Sequence, residues 1–273
     1  MQATIAPPLD ADEASTPVNS RGKVIVASLV GTAIEFFDFY IYATAAVIVF
    51  PHIFFPQGDP TTATLQSLAT FAVAFVARPI GSALFGHFGD RVGRKVTLVA
   101  SLLTMGISTV VIGLLPGYES IGILAPMLLA LARFGQGLGL GGEWGGAALL
   151  SVESAPKNKK AFYSSGVQVG YGVGLLLSTG LVSLVSSFTT DEQFLSWGWR
   201  LPFLFSVVLV LAALWIRNGM AESAEFEQQL QKTPAAKKKR LPVLEALVRH
   251  PGAFLLIIAL RLCELLTMYI VTA

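Results

Sequence analysis

Gly86-His87-Phe88-Gly89-Asp90-Arg91-Val92-Gly93-Arg94-Lys95 is the stretch that decides the fold of this 273-residue chain. It is short, glycine-punctuated and basic. On one side, Thr64 to Phe88 carries no charge except Arg78; on the other, Val96 to Leu115 carries none. A tight basic turn between two apolar runs of membrane length predicts a pair of membrane-crossing helices.

Composition points the same way. The chain is 53% hydrophobic and 13% charged, against about 25% charged in an ordinary soluble domain. Its mean hydropathy is +0.66, which makes the bilayer the expected solvent. The single cysteine, Cys263, excludes a disulfide framework or a cysteine-based metal site within one chain. Residues 1–22 are polar and lack the basic start and apolar core of a cleaved signal peptide, so they read as a cytoplasmic tail.

Seven apolar segments stand out, at 24–50, 64–88, 96–115, 121–149, 163–187, 201–217 and 252–273. A span needs about 20 apolar residues, and lipid excludes open sheets. The expected class is therefore an all-α, polytopic membrane protein. The sixth segment is short; Trp197 and Trp199 at one end and Trp215 at the other extend it as interfacial anchors. The expected organisation is a tail (1–22), a six-span unit (23–217), a linker (218–251) and a seventh span (252–273). That last span stops at Ala273 with no polar flank, as in a fragment or an unusual ending.

Basic residues orient the spans. Arg21 and Lys23; Arg91, Arg94 and Lys95; Lys157, Lys159 and Lys160; and Arg217, Lys232, Lys237, Lys238, Lys239, Arg240 and Arg249 make 15 of the 19 Lys and Arg residues, in alternate connections. The opposite connections hold Asp59, Glu119, Asp191 and Glu192. The positive-inside rule then expects the N-terminus and the 218–251 linker on the cytoplasmic side. Lys237 to Arg240 reads as a juxtamembrane cluster facing anionic lipid rather than as a nucleic-acid patch.

Ionisable side chains inside spans are costly and functional by default, at about 2.5–3.5 kcal/mol each on insertion scales. Span 1 carries Glu35 and Asp38, which share a helix face with Gly31 and Tyr42. Two carboxylates one turn apart in low dielectric resist being ionised together, which suits a proton carrier. The alternative is a pair of structural ion pairs, each acid held by an arginine. Span 2 carries Arg78, on a face with Ser82, Gly86 and Gly89 that suits close helix approach. It is a candidate for an anionic substrate or for Glu35 or Asp38. Span 4 carries Arg133, Gln136 and Glu143, candidates for a cavity lining. Its Gly137-x-Gly139-x-Gly141 piece lacks the strand–turn–helix context of a dinucleotide loop. Glycine pairs Gly141/Gly145 and Gly142/Gly146, and Gly166, Gly170 and Gly174 in span 5, read as helix-packing positions. Span 7 carries Arg261 and Glu264, either a local ion pair or cavity residues. His52, His87 and His250 assemble no metal site or triad, so no enzyme, metal or cofactor is expected.

Gly86–Lys95 resembles the loop motif of the major facilitator superfamily, Gly-x-x-x-Asp-Arg-x-Gly-Arg-Arg/Lys, between its second and third spans. Gly86, Asp90, Arg91, Gly93, Arg94 and Lys95 match every fixed position, and Gly89 lies within the motif. Gly31 to Tyr40, Arg78-Pro79-Ile80-Gly81, Arg133 to Gly137, Trp199 to Phe203 and Arg261-x-x-Glu264-x-x-x-x-Tyr269 look like its metabolite:proton symporter branch, which includes carriers of shikimate, dicarboxylates, citrate and proline/betaine. The resemblance implies a twelve-span fold of two six-helix halves rocking about a midplane site. This chain would supply the N-terminal half plus a seventh helix and would need the missing C-terminal half as partner. It also implies proton-coupled uptake across the bacterial inner membrane, with Asp90 and Arg91 latching the cytoplasmic side. Span 5 has no proline between Gly166 and Gly174, unlike drug/proton antiporters, which favours symport. Ala224 stands where the family usually has proline.

Three functional readings follow: a proton-coupled symporter of a small, anionic organic metabolite; a carrier of an osmolyte or other zwitterion; and a non-transporting, truncated membrane protein.

Overall fold

The computed structural model describes residues 21–153, 159–219, 249 and 251–272. Those residues form α1 (Arg21–Ile48), α2 (Phe50–Ile53), α3 (Pro60–Val92), α4 (Arg94–Leu114), α5 (Tyr118–Ile121), α6 (Leu124–Glu153), α7 (Lys160–Phe188), α8 (Asp191–Gln193), a π turn (Phe194–Gly198), α9 (Arg200–Asn218) and α10 (Pro251–Thr272). No strand occurs among them. Six helices (α1, α3, α4, α6, α7 and α9) are long and apolar enough to cross a membrane. They match the first six predicted segments, and α10 coincides with the seventh. The tail (1–20) and most of the 218–251 linker lie outside the described residues.

The termini follow local rules. Asp59 caps α3: its carboxylate accepts from the Thr62 amide at 3.1 Å and the Thr62 hydroxyl at 2.6 Å, with Pro60 in the first turn. Thr190 and Gln193 form a reciprocal capping box. One residue, Gly93, separates α3 from α4. Its φ of +115° lies where side-chain-bearing residues are strained, so the motif glycine is what lets two long helices reverse without a loop.

The six helices pack most extensively as α1 with α7, α3 with α6, and α4 with α6, while α9 packs chiefly against α4. Glycines set the first two contacts. A Cβ at Gly170 would stand 2.7 Å from the Leu29 carbonyl oxygen, and one at Gly137 would stand 2.5 Å from that of Ala74. Backbone meets backbone there, the small-residue packing that replaces hydrophobic drive between helices in lipid. Ser82 adds a hydrogen bond to the Gly141 carbonyl at 2.7 Å. The sequence places Gly86 on the packing face of α3; in the structure nothing lies within 4 Å of its Cβ position, and Gly81 makes the approach instead, against Leu138.

One end of the bundle is closed by an aromatic core of Phe50, Phe54, Trp199 and Phe203, with ring centroids 5.3–6.2 Å apart. Trp199 is therefore not the interfacial anchor expected from its position: it is 2% exposed, whereas Trp215 is 81% exposed. Elsewhere the outer surface is apolar, with Val76, Leu131, Leu176 and Leu211 exposed, as a lipid-facing surface requires.

Candidate functional site

Glu35 and Asp38 stand midway along the apolar part of α1, Ile25–Ile48. Three residues on a helix advance about 300°, so the shared face divides into two edges with different neighbours. Glu35 turns to α3, where its Oε1 lies 3.8 Å from Arg78 Nη2. The pair is loose: Glu35 Oε2 and Arg78 Nε are buried without hydrogen-bond partners. The Arg78 guanidinium also sits 5.2 Å from the Phe75 ring centroid, a cation–π contact.

Asp38 turns inward to α4 and α9. Thr109 Oγ1 donates to Oδ2 at 2.6 Å and Ser206 Oγ donates to Oδ1 at 2.8 Å. No arginine among the described residues bonds it directly, which speaks against the alternative in which each acid is held by an arginine. The cation acts at a distance through neutral groups. Arg133 Nη1 donates to Gln136 Oε1 at 2.8 Å, and Gln136 Nε2 donates to Thr109 Oγ1 at 2.7 Å. Asp38, Thr109, Arg133, Gln136 and Ser206 are all at most 1% exposed. They form one continuous hydrogen-bonded chain across four helices. Its cationic end is packed between rings: Arg133 Cζ lies 3.9 Å from the Tyr42 centroid and 4.4 Å from that of Phe71, while its Nε and Nη2 have no hydrogen-bond partner. Tyr42 is held by Thr70 at 2.5 Å. Thr70 already donates to the Ser67 carbonyl, so the phenol is the donor.

Glu143 belongs to a separate cluster. Its Oε1 pairs with Arg217 Nη2, and Arg217 Nη1 donates to the Leu98 carbonyl at 2.7 Å. Arg217, grouped by sequence with the linker cations, is buried inside α9 at 6% exposure. Its place at the end of an apolar helix, directly after Trp215 and Ile216, is the signal that separates it from them. In the motif, Lys95 Nζ donates to the Asn218 carbonyl at 3.0 Å, at the end of α9. Arg91 is exposed. Asp90 and Arg94 fall at the end of α3 and the start of α4, and Arg261 and Glu264 on α10; their side chains lie outside the described set.

A half-exposed aromatic strip joins the two acids' surroundings. Phe36, Phe39 and Tyr40 of α1 meet Tyr171 of α7 and Phe71 and Phe75 of α3, and the Tyr40 hydroxyl donates to that of Tyr171 at 2.6 Å. Thr109, Ser206 and this strip escaped the sequence reading. One hydroxyl among several in span 3, the lone Ser206 of span 6, and aromatics in an aromatic-rich span carry no charge to mark them.

Residues 23–241 match the family described as sugar (and other) transporter. The chain is 64% identical over 277 residues to the inner membrane metabolite transport protein YhjE of Escherichia coli, covering 100% of this chain and 62% of that protein. It is 64% identical over 262 residues to the shikimate transporter of the same organism, covering 96% and 60%. It is 39% identical over 219 residues to the proline/betaine transporter of Salmonella typhimurium, covering 80% and 44%. The chain thus spans about three fifths of the length of the first two of these relatives and less than half of the third. Among solved structures, the partially occluded, inward-open xylose transporter XylE of Escherichia coli superposes with a TM-score of 0.69 at 19% identity, over 77% of this chain and 52% of that one. That likeness is one of fold: the six helices correspond to half of a major facilitator structure. These relatives are named as transporters, not enzymes, and the chain, with the fold of one half of a major facilitator structure, belongs to the sugar (and other) transporter family.

Proposed function

We propose that this chain forms the N-terminal half, with the first helix of the second half, of a proton-coupled symporter for a small, carboxylate-bearing organic metabolite. The observation that carries the reading is Asp38. It is a carboxylate at mid-span, 1% exposed, bonded only to hydroxyls, with its nearest chain of bonds ending at Arg133. A buried acid without a direct cation is most cheaply neutralised by a proton. Glu35 and Asp38 then carry or gate protons. Arg78 and Arg133, with guanidinium nitrogens left unbonded, receive the substrate carboxylate. Gln136 holds Arg133. Glu143, with Arg217, braces α6 against α9. Arg261 and Glu264 would add to the site from the seventh span.

Asp90, Arg91 and Arg94 form a cytoplasmic latch with the second half, while Gly89, Gly93 and Lys95 shape the corner that presents it and Gly86 lies farther back on α3. The N-terminus (1–22) and the linker (218–251) lie on the cytoplasmic side of the inner membrane, flanking the six-span unit (23–217) and preceding the seventh span (252–273). Shikimate is the first substrate to test, because the relative that carries that name shares 64% identity with this chain.

The test uses the protein as its gene encodes it, in vesicles with an inwardly directed proton gradient. Labelled shikimate should accumulate, collapse with a protonophore, and fall at least tenfold in D38N. Accumulation that persists in E35Q and D38N, or ignores the protonophore, overturns the proton role. A second reading, a zwitterion carrier, rests on the proline/betaine relatives and on the aromatic strip beside Arg78, which suits a quaternary ammonium. Competition by betaine but not by shikimate or dicarboxylates selects it.

A further inference from the structure

The Thr109 hydroxyl has one proton and two acceptors. Its Oγ1 lies 2.6 Å from Asp38 Oδ2 and 3.0 Å from the Met105 carbonyl oxygen, one turn back on α4. A hydroxyl has one donor and two acceptor lone pairs, and Gln136 Nε2 already occupies one of those at 2.7 Å. From this geometry we infer that Thr109 is a two-position switch that lets Asp38 take up and release the coupling proton while Asp38, Thr109 and Gln136 stay bonded to one another.

The two states balance. With Asp38 ionised, Thr109 donates to Oδ2 and accepts from Gln136; the Met105 carbonyl is left to its helical partner. When a proton arrives on Oδ2, the new carboxyl O–H donates to Thr109 Oγ1, whose own proton rotates to the Met105 carbonyl. Thr109 then accepts twice and donates once. Ser206 donates to Oδ1 throughout. No bond between heavy atoms changes, and the only gain is the proton on Asp38. Leaving a buried donor or acceptor unsatisfied costs about 1–3 kcal/mol, and neither state incurs it at Asp38 or Thr109.

Glu35 has no such arrangement. Its Oε2 has no hydrogen-bond partner and its Oε1 faces Arg78 across 3.8 Å. The coupling proton therefore resides on Asp38, and Glu35 serves the Arg78 side of the site. The charged groups around Asp38 are Glu35 on its own helix, Arg78 on α3, Arg133 and Glu143 on α6, and Arg217 on α9; none of them is among its hydrogen-bond partners. The hydroxyl, not a neighbouring charge, answers the change in protonation. Thr109 is thus a positioning residue that acts through Asp38, and this inference rests on the symport reading above.

The test separates substrate exchange from proton-driven accumulation. Exchange of labelled for unlabelled substrate across equilibrated vesicles needs binding and the conformational cycle but no net proton release. In T109V we expect exchange within about threefold of the unaltered protein and gradient-driven accumulation lowered at least tenfold. T109S, which keeps the hydroxyl, should restore accumulation to within twofold. D38N with T109V should be no worse than D38N alone, because both remove the same event. Normal accumulation in T109V overturns the switch, as does loss of exchange in T109V and T109S alike, which marks a packing role. Should T109V not fold, T109A supplies the same comparison with less bulk. If D38N accumulates normally while E35Q does not, the assignment of the proton to Asp38 fails and symport survives. If the unaltered protein shows no proton-dependent accumulation, the symport reading itself fails.

Discussion

Glu143 on α6 and Arg217 on α9 form an ion pair that closes directly over Gly31 of α1. A Cβ at Gly31 would stand 2.6 Å from Glu143 Oε1 and 2.7 Å from Arg217 Nη2. Three helices are fitted around two opposite charges with no room for a methyl group between them.

That fit predicts asymmetric mutational costs. E143M or R217M alone leaves a buried charge uncompensated and should cost about 3–5 kcal/mol; the double variant removes both charges and should recover much of that. G31A should cost about 1–3 kcal/mol by forcing the pair apart. Thermal unfolding in detergent checks all four. A double variant that melts below both single ones contradicts the account.

The glycines divide just as sharply. G137A sets a Cβ against the backbone of Ala74 and G170A sets one against that of Leu29, and backbone cannot step aside as a flexible side-chain end can. Each should lower stability by about 1–3 kcal/mol. G86A meets nothing within 4 Å. As a glycine inside a helix it should be neutral or gain about 0.5–1 kcal/mol. Unfolding midpoints of the three variants decide the matter, and a destabilised G86A is the adverse result.

Trp199 and Trp215 should respond oppositely to lipid. Single-tryptophan variants in vesicles containing brominated acyl chains should show strong quenching for Trp215, 81% exposed, and weak quenching for Trp199, 2% exposed. W199A, which empties the centre of the Phe50–Phe54–Phe203 cluster, should cost about 3–5 kcal/mol. Equal quenching at the two sites contradicts the placement.

Lys95 predicts a local effect within its motif. Its ammonium caps the carbonyl of Asn218, where the α9 dipole is negative, an interaction of about 0.3–1 kcal/mol. K95M should speed amide exchange in the last turn of α9 while leaving the aromatic end unchanged. Uniform exchange throughout α9 would contradict this local role.

The six crossings were legible in the sequence because length and apolarity suffice to mark them. The Gly93 corner was legible too, because a reversal in so few residues calls for a glycine. What hydropathy does not carry is which helix faces which. Spacing puts Glu35 and Asp38 on one face, yet only the packing of α4 and α9 decides that Asp38 meets Thr109 and Ser206 while Glu35 meets Arg78. Arg217 shows the converse: counted by position it is a linker cation, and the turn of α9 carries it into the interior. Trp199 fails as an anchor for the same reason, since a span end can face a neighbouring helix as readily as a headgroup.

The packed helices can be regarded as staves, with α1 set on α7, α6 clasped by both α3 and α4, and α9 set on α4, and the hydrogen-bonded chain then acquires a mechanical meaning. Asp38 belongs to α1, Arg133 and Gln136 to α6, Thr109 to α4 and Ser206 to α9. The chain is a keystone in which each of these four staves holds a share. Under the symport proposed above, a single proton arriving there would be felt by four helices at once, so the smallest cargo would retune how the bundle is clasped.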